Sequence, residues 1–265
     1  MHSFEKIFKI EKPIIGMCHL KSLPDEPLYN KELGIDYIVK NAKKDVEILQ
    51  NEGIHGILFS NEFSFPYSQN VSQITVATMA RIIGELRSAI KVPFGVDCMY
   101  DVYSTIDLAI ATDADFYRIT LKSCSSYDFE FGFTPLGEYK RYEVKRTNGI
   151  MGIINVTASV ESSFQNGSTI QLLKTINKQT PSYALCMSAK TINKICQTYI
   201  NDFQELIKKP KILCDGGCNI NNIENILRYT NGVIIGTAIK ENRELNNSVS
   251  AANVRDIVQF HNTLT

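Results

Sequence analysis

The chain has 265 residues, and its 28 Lys and Arg balance 28 Asp and Glu, so the formal charge is zero. The length suits one large α/β domain, since a (β/α)8 barrel runs to about 250 residues. No basic stripe points to nucleic acid, no polybasic end points to an anionic membrane, and no apolar run approaches the ~20 residues of a membrane span.

The start of the chain, Met1-His-Ser-Phe-Glu-Lys6, lacks the apolar core of a secretion signal. A near-continuous apolar run at 13–19 predicts the first strand. Residues 36–52 follow, with Ile38, Val39, Ala42, Val46 and Leu49 at helical spacing. A strand at 56–62 precedes a helix over 72–90, which opens on Ser72 and carries Val76, Met79, Ile82, Ile83 and Leu86. A strand at 92–98 leads to a helix over 102–112, with Asp101 placed as its cap. The fourth strand, 115–121, is followed by a long irregular piece, 122–148. Its Tyr127, Phe129, Phe131, Phe133 and Tyr139 suit either a lid over a barrel mouth or a packed excursion, with the packed excursion favoured. Strands at 150–156, 183–188, 211–215 and 232–236 then alternate with helices over 168–179, 191–208, 220–229 and 250–264. Eight strand–helix repeats in this length predict a closed (β/α)8 TIM barrel, one domain over 1–265. Seven irregularly spaced cysteines read as a reduced, cytoplasmic protein rather than a disulfide framework.

The seventh and eighth strands both run into glycine, at Asp215-Gly216-Gly217 and at Gly236-Thr237. The loops after these two strands are where such barrels build a phosphate site. Glycine lets backbone N–H groups approach an anion closely, and a helix start adds partial positive charge. Gly216, Gly217, Gly236 and Thr237 are therefore expected to bind phosphate, and the expected partner is a small phosphorylated molecule. The outer faces of the barrel helices and the last helix offer surface for a homo-oligomer. Cys214 and Cys218 alone do not make a zinc site, and no spacing calls for another metal or for a cofactor.

Several motifs carry a family resemblance. Gly16-Met-Cys-His-Leu20 with Leu23-Pro24, Phe59-Ser-Asn-Glu-Phe-Ser64 with Pro66-Tyr67, Ala80-Arg-Ile-Ile-Gly84 and Pro93-Phe-Gly-Val-Asp97 resemble the BtpA/SgcQ family. The resemblance runs end to end, strongest over 13–101 and around Ala184-Leu-Cys-Met-Ser188, and weakest over 122–180. It implies a barrel of the ribulose-phosphate-binding kind. Family members include a protein of a sugar-uptake operon described as a sugar nucleosidase, and one linked to photosystem I biogenesis. The chain departs from the family pattern at Asp97, at Ser60, in the turn Ser188-Ala-Lys-Thr191 and at Asp215-Gly216-Gly217. These positions bear on substrate choice.

Catalytic residues of a barrel sit at the C-terminal ends of its strands. Glu62 and Asp97 end neighbouring strands, so their carboxylates are expected to share a pocket. Carboxylates suit cleavage of an N-glycosidic bond: one stabilises the oxocarbenium-like sugar or activates water, and an acid protonates the leaving base. His19, at the end of strand one, is the candidate proton shuttle, although an oriented core histidine fits equally. Arg118 must be paired or bind an anion if it points into the barrel, and Asp97 is its candidate partner. Asn61, Arg118, Asn155, Ser188 and Asp215 form the expected substrate-binding set. Cys18 reads as a core thiol, with a general base as the alternative, and Lys240 as a solvated charge. The sequence therefore predicts nucleosidase-type hydrolysis of a phosphorylated sugar or nucleoside-like substrate. Its alternatives are ketose-phosphate isomerase or aldolase chemistry, with Cys18 or Lys122 as base or Schiff-base former, and a non-catalytic ligand-binding assembly factor.

Overall fold

In the computed structural model, which describes residues 3–125, 128–131, 134–147, 149–163, 169–179 and 183–264, all eight expected strands form. They are β1 (Ile14–His19), β2 (Gly56–Ser60), β3 (Phe94–Asp97), β4 (Phe116–Ser125), β7 (Met151–Asn155), β8 (Ala184–Met187), β9 (Lys211–Asp215) and β10 (Val233–Ile235). Two short strands, β5 (Asp128–Phe131) and β6 (Thr134–Pro135), fold back antiparallel on the extended end of β4. The eight long-range partners are all parallel, in the order β3-β2-β1-β10-β9-β8-β7-β4, and a β3–β4 pairing closes the ring. The helices are α1 (Phe4–Phe8), α2 (Gly34–Asn51), α3 (Gln73–Leu86), α4 (Val102–Ala111), α5 (Leu136–Arg146), α6 (Thr157–Ser163), α7 (Thr169–Gln179), α8 (Ala189–Ile207), α9 (Ile223–Leu227) and α10 (Ala251–Asn262). Among the described residues, no helix is long and apolar enough to cross a membrane.

Strand alternation sorts each residue to one of two layers. Inside the barrel, Ile15, Met17, Leu58, Phe116, Ile153 and Leu213 pack together. The helix α1, which the sequence reading did not foresee, adds Phe4, Ile7 and Phe8 to this cluster and so plugs the N-terminal end of the ring. The alternate residues, such as Ile14, Phe59, Val96 and Ile212, face the helical shell. Cys18 belongs to that outer layer. Its thiol lies against Ala42 of α2, so it is a core residue and not a base at the mouth. Burial and Asp45 push that thiol up from its ordinary value.

Helix starts follow the sequence closely because side chains satisfy their free N–H groups. Ser72 caps α3, Asp101 caps α4, Ser188 caps α8 and Ser250 caps α10. Two expectations are corrected. Residues 122–148 are not irregular throughout, since β5, β6 and α5 occupy them. Tyr139 is no lid residue: it is fully buried and its hydroxyl bonds those of Tyr117 and Tyr183 at 2.9 and 2.7 Å. Tyr127 and Phe133, with the side chains of Phe129 and Phe131, lie outside the described residues. Lys240 is not solvated either. It is 1% exposed, and its ammonium lies 3.2 Å from Asp45 of α2, whose other oxygen accepts the Val249 N–H. This pair ties the segment before α10 to the shell.

Gly95 of β3 marks where the interior has no room. A Cβ there would fall into the ring of Phe116 on the neighbouring strand. Overpacked cores typically lose about 1–3 kcal/mol. Gly95→Ala is expected to lose at least that much in urea unfolding. Phe116→Leu in the same chain should restore part of the loss, because the two changes share one volume. Strict additivity of the two would contradict this packing.

Candidate functional site

The C-terminal mouth of the barrel holds a cavity of about 530 Å³. Its floor is apolar, from Met17 and Ile234, and its walls are polar. The strand-end side chains His19, Arg118, Asn155 and Asp215 project into it because each continues the inward-facing alternation of its strand. Glu62 reaches it from the loop after β2. Gly216, Gly217, Gly236 and Thr237 line it from the loops after β9 and β10, joined by Arg243.

Arg118 organises the floor. Its Nε donates to Asp97 Oδ2 at 2.6 Å and its NH1 to Asp215 Oδ2 at 2.7 Å, with all three side chains under a tenth exposed. Asp215 Oδ2 also receives Asn155 Nδ2 at 3.3 Å and the Cys186 thiol at 3.5 Å. Burial opposes the charge on Arg118, but Asp215 and Asp97 outweigh it and hold the guanidinium proton more tightly than usual. Burial pushes Asp97 up to about 6, with Arg118 pulling it back and Asp215 and Glu62 adding to the rise. His19 moves the other way. Burial, assisted by Lys240, Arg118 and Lys21, lowers it to about 3, so the ring is neutral at physiological pH. Its Nδ1 is buried without a hydrogen-bond partner.

The residues expected from sequence divide into three groups. Glu62, His19, Arg118, Asn155, Asp215 and the four loop residues meet in one cavity. Asp97 stands behind Arg118 as its ion-pair partner and does not itself line the cavity. Asn61 and Ser188 turn elsewhere: Asn61 Oδ1 accepts the Met99 N–H at 2.8 Å, and Ser188 Oγ caps α8 on the Thr191 N–H. Arg243 and Tyr67 were missed. Arg243 lies in a 3₁₀ turn, Glu241–Arg243, that no periodicity announces. Tyr67 donates to Glu62 Oε1 at 3.1 Å and so fixes the rotamer of that carboxylate. The neighbouring motif residues Pro66-Tyr67 were the available signal.

The glycines after β9 and β10 are required by the local structure for two different reasons. Gly216 and Gly217 have φ of +90° and +77°, a region in which other residues are strained. Gly236 has a different reason to be glycine: a Cβ there would sit 2.8 Å from the His19 ring. Among the described residues, no group of three or more His, Cys, Asp or Glu is placed to hold a metal ion.

Two consequences can be measured. Arg118→Met leaves Asp97 and Asp215 buried without their cation. Breaking such a pair typically costs about 3–5 kcal/mol, and a loss under about 1 kcal/mol in denaturant unfolding would refute the buried arrangement. The second concerns pH. Asp97, raised from 3.8 to about 6, is protonated in the fold before it would be in the unfolded chain. Its contribution to stability is therefore largest at low pH and falls as pH rises towards 6. The same proton makes the mouth less negative, so sulfate, a dianion throughout this range, should bind more tightly as pH falls from 8 to 5.5. Asp97→Asn should flatten that profile, and an unchanged profile would remove Asp97 as its source.

Comparison with known proteins agrees with this architecture. The BtpA family model matches residues 10–263. The sgc region protein SgcQ of Escherichia coli (strain K12) is 31% identical over 261 residues, 98% of this chain and 97% of SgcQ. The photosystem I biogenesis protein BtpA of Synechocystis sp. is 22% identical, over 95% of this chain and 88% of that protein. Among solved structures, N-(5'-phosphoribosyl)anthranilate isomerase from Pyrococcus furiosus superposes with a TM-score of 0.53 at 12% identity, covering 95% of this chain and 99% of the isomerase. Dihydropteroate synthase from Anaplasma phagocytophilum gives 0.55 at 10%, over 97% and 100%. At such identities these two likenesses speak for the fold alone. The match along nearly the whole chain places the protein in the BtpA family, as a single-domain TIM barrel.

Proposed function

We propose that the protein is an enzyme that holds a phosphorylated sugar or nucleoside-like molecule in the barrel mouth and hydrolyses it at the anomeric carbon. One observation carries this reading: the glycine loops after β9 and β10 share a single cavity with the carboxylates of Glu62 and Asp215. The loops offer backbone N–H groups and Arg243 a positive charge to a phosphate, while the carboxylates flank the space beside it. The phosphorylated compounds named with the two structural neighbours, a phosphoribosyl group and a pterin monophosphate, agree with this assignment.

In the proposed reaction the bond from the anomeric carbon to its leaving group breaks while water adds in its place. Glu62, oriented by Tyr67, takes the proton from that water. Asp215 faces the positive charge that develops on the sugar, and Arg118 and Asn155 hold it in place through Oδ2. The proton that Glu62 takes from the water passes on to the leaving group, and the neutral His19 ring, in the same cavity, donates a hydrogen bond there. Schiff-base chemistry has less support. Among the described residues lining the cavity none is a lysine, Lys240 is held by Asp45, and the side chain of Lys122 lies outside the described residues. The thiol of Cys18 faces the helical shell, which removes the proposed isomerase base.

The test begins with thermal unfolding against inorganic phosphate, ribose 5-phosphate, ketose phosphates and nucleoside monophosphates. A ligand at about 100 times its Kd adds roughly 2.7 kcal/mol, or several degrees in Tm for a domain of this size. The shift is expected in the wild type and should vanish in Gly217→Asp. Glu62→Gln should keep the shift and lose about 10²–10⁴-fold in turnover of the ligand that produces it. Binding without turnover across the panel would favour a non-catalytic role, and no shift with any ligand would sink the phosphate site itself.

A further inference from the structure

Beside the main cavity lies a second one, of about 190 Å³, between the loop after β1 and the loop after β2. Asp25 and Glu26 line it from the first loop, and Asn61, Ser64 and Tyr67 from the second. Two of its lining residues carry a buried polar atom without a hydrogen-bond partner, Asn61 Nδ2 and Ser64 Oγ. Both belong to deeply buried side chains, at 1% and 4% exposure. Native folds rarely bury such groups unsatisfied, and each instance asks for a partner from outside the chain.

The chemistry of that partner follows from which atoms are free. The Met99 N–H occupies Asn61 Oδ1 at 2.8 Å, so the amide presents its NH2 group as a donor. A donor there disfavours a cation between the two carboxylates. Asp25 accepts hydrogen bonds, as does Glu26 through Oε2, since its Oε1 already receives the Thr75 hydroxyl at 3.1 Å; Ser64 both gives and takes one, and Asn61 gives. Adjacent donors and acceptors of this kind match vicinal hydroxyl groups, each of which also gives and takes. The volume equals the share of about six liquid waters, the bulk of one small sugar ring. Pro66, Tyr67 and Val71 add apolar surface to the lining for the C–H side of such a ring.

The partition between the two cavities is a hydrogen bond. Tyr67 lines the smaller cavity, Glu62 lines the larger, and the tyrosine hydroxyl meets the Glu62 carboxylate at 3.1 Å and the Glu62 carbonyl at 3.0 Å. We propose that the smaller cavity is a second subsite, which binds a neutral hydroxyl-rich ring on the side of Glu62 away from the phosphate loops. It rests on the proposed function only in placing the reacting bond at Glu62; binding in the cleft stands on its own atoms. The substrate class is then a phosphorylated sugar joined through its anomeric carbon to a second polyhydroxy group.

The experiment uses the full chain and neutral probes: ribose, arabinose, glucose and galactose, followed by saturation-transfer NMR and calorimetry, with inorganic phosphate titrated separately. At least one neutral sugar should bind. Its affinity should fall fivefold or more in Ser64→Ala and in Glu26→Gln, each checked for an unchanged unfolding transition, while phosphate affinity stays as in the wild type. Gly217→Asp should lose phosphate and keep the sugar. Sugar binding with no phosphate binding would leave this subsite standing and overturn the phosphate assignment. The subsite is refuted if no sugar binds, if Ser64→Ala and Glu26→Gln leave the affinity unchanged, or if Gly217→Asp abolishes sugar binding.

Discussion

The mouth of this barrel is built around one constraint: a guanidinium inside a ring of strands must be neutralised on both sides. Arg118 emerges from β4 and meets Asp97 on the adjoining strand β3 and Asp215 on β9, across the opening. A buried charge without a partner is strongly disfavoured, so these two strand ends are fixed relative to each other by the arginine as well as by the ladder. Everything else in the site takes its place from that clamp. Asn155 and Cys186 donate to the same Asp215 oxygen, Oδ2, that Arg118 engages, and Met99 lies against the third guanidinium nitrogen. The constraint also sets the electrostatics. Burial raises Asp97 towards 6 against the pull of Arg118, with smaller pushes from Asp215 and Glu62.

Much of the barrel was legible because parallel strands buried on both faces read as near-continuous apolar runs, and most do so here. Runs such as Ile212-Leu213-Cys214 and Val233-Ile234-Ile235 leave no room for a solvent face. The caps were equally plain, since Ser72 and Asp101 stand directly before helical patterns. What the sequence hid has physical reasons. The helix α5 carries mostly charged and polar residues, so its periodicity is faint against the polar background of a loop. The plug α1 is only five residues long, and its role depends on a contact with Phe116, more than a hundred residues away. Lys240 sits beside Glu241 in sequence and looks solvated, yet its partner is Asp45 on a helix that only the folded chain brings near.

The site was legible in membership more than in arrangement. Strand ends pick out the candidates, because alternation leaves the last inward residue of each strand facing the mouth. His19, Arg118, Asn155 and Asp215 all open into one cavity. The strand-end rule could not rank Asp97 against Asp215. Both end a strand and both touch Arg118, but only Asp215 also reaches the open volume. The difference comes from β4 and β3 being neighbours, which lets Arg118 lie across Asp97 and cover it.

The two ends of the barrel show how the same strands support opposite chemistries. At the lower end Phe8 packs against Phe116 with ring centres 5.5 Å apart, and Gly95 gives up its side chain so that the ring fits. At the upper end Gly236 gives way to the His19 ring, and Gly216 and Gly217 adopt a backbone that other residues resist. In both places an absent side chain makes room, below for an aromatic stopper and above for an imidazole. Burial, with Lys240, Arg118 and Lys21 nearby, keeps the His19 ring uncharged at the upper end. The same alternation that sends Ile15 and Met17 inward carries His19 to the mouth, so the apolar plugged layer and the polar site are successive levels of one inward-facing row.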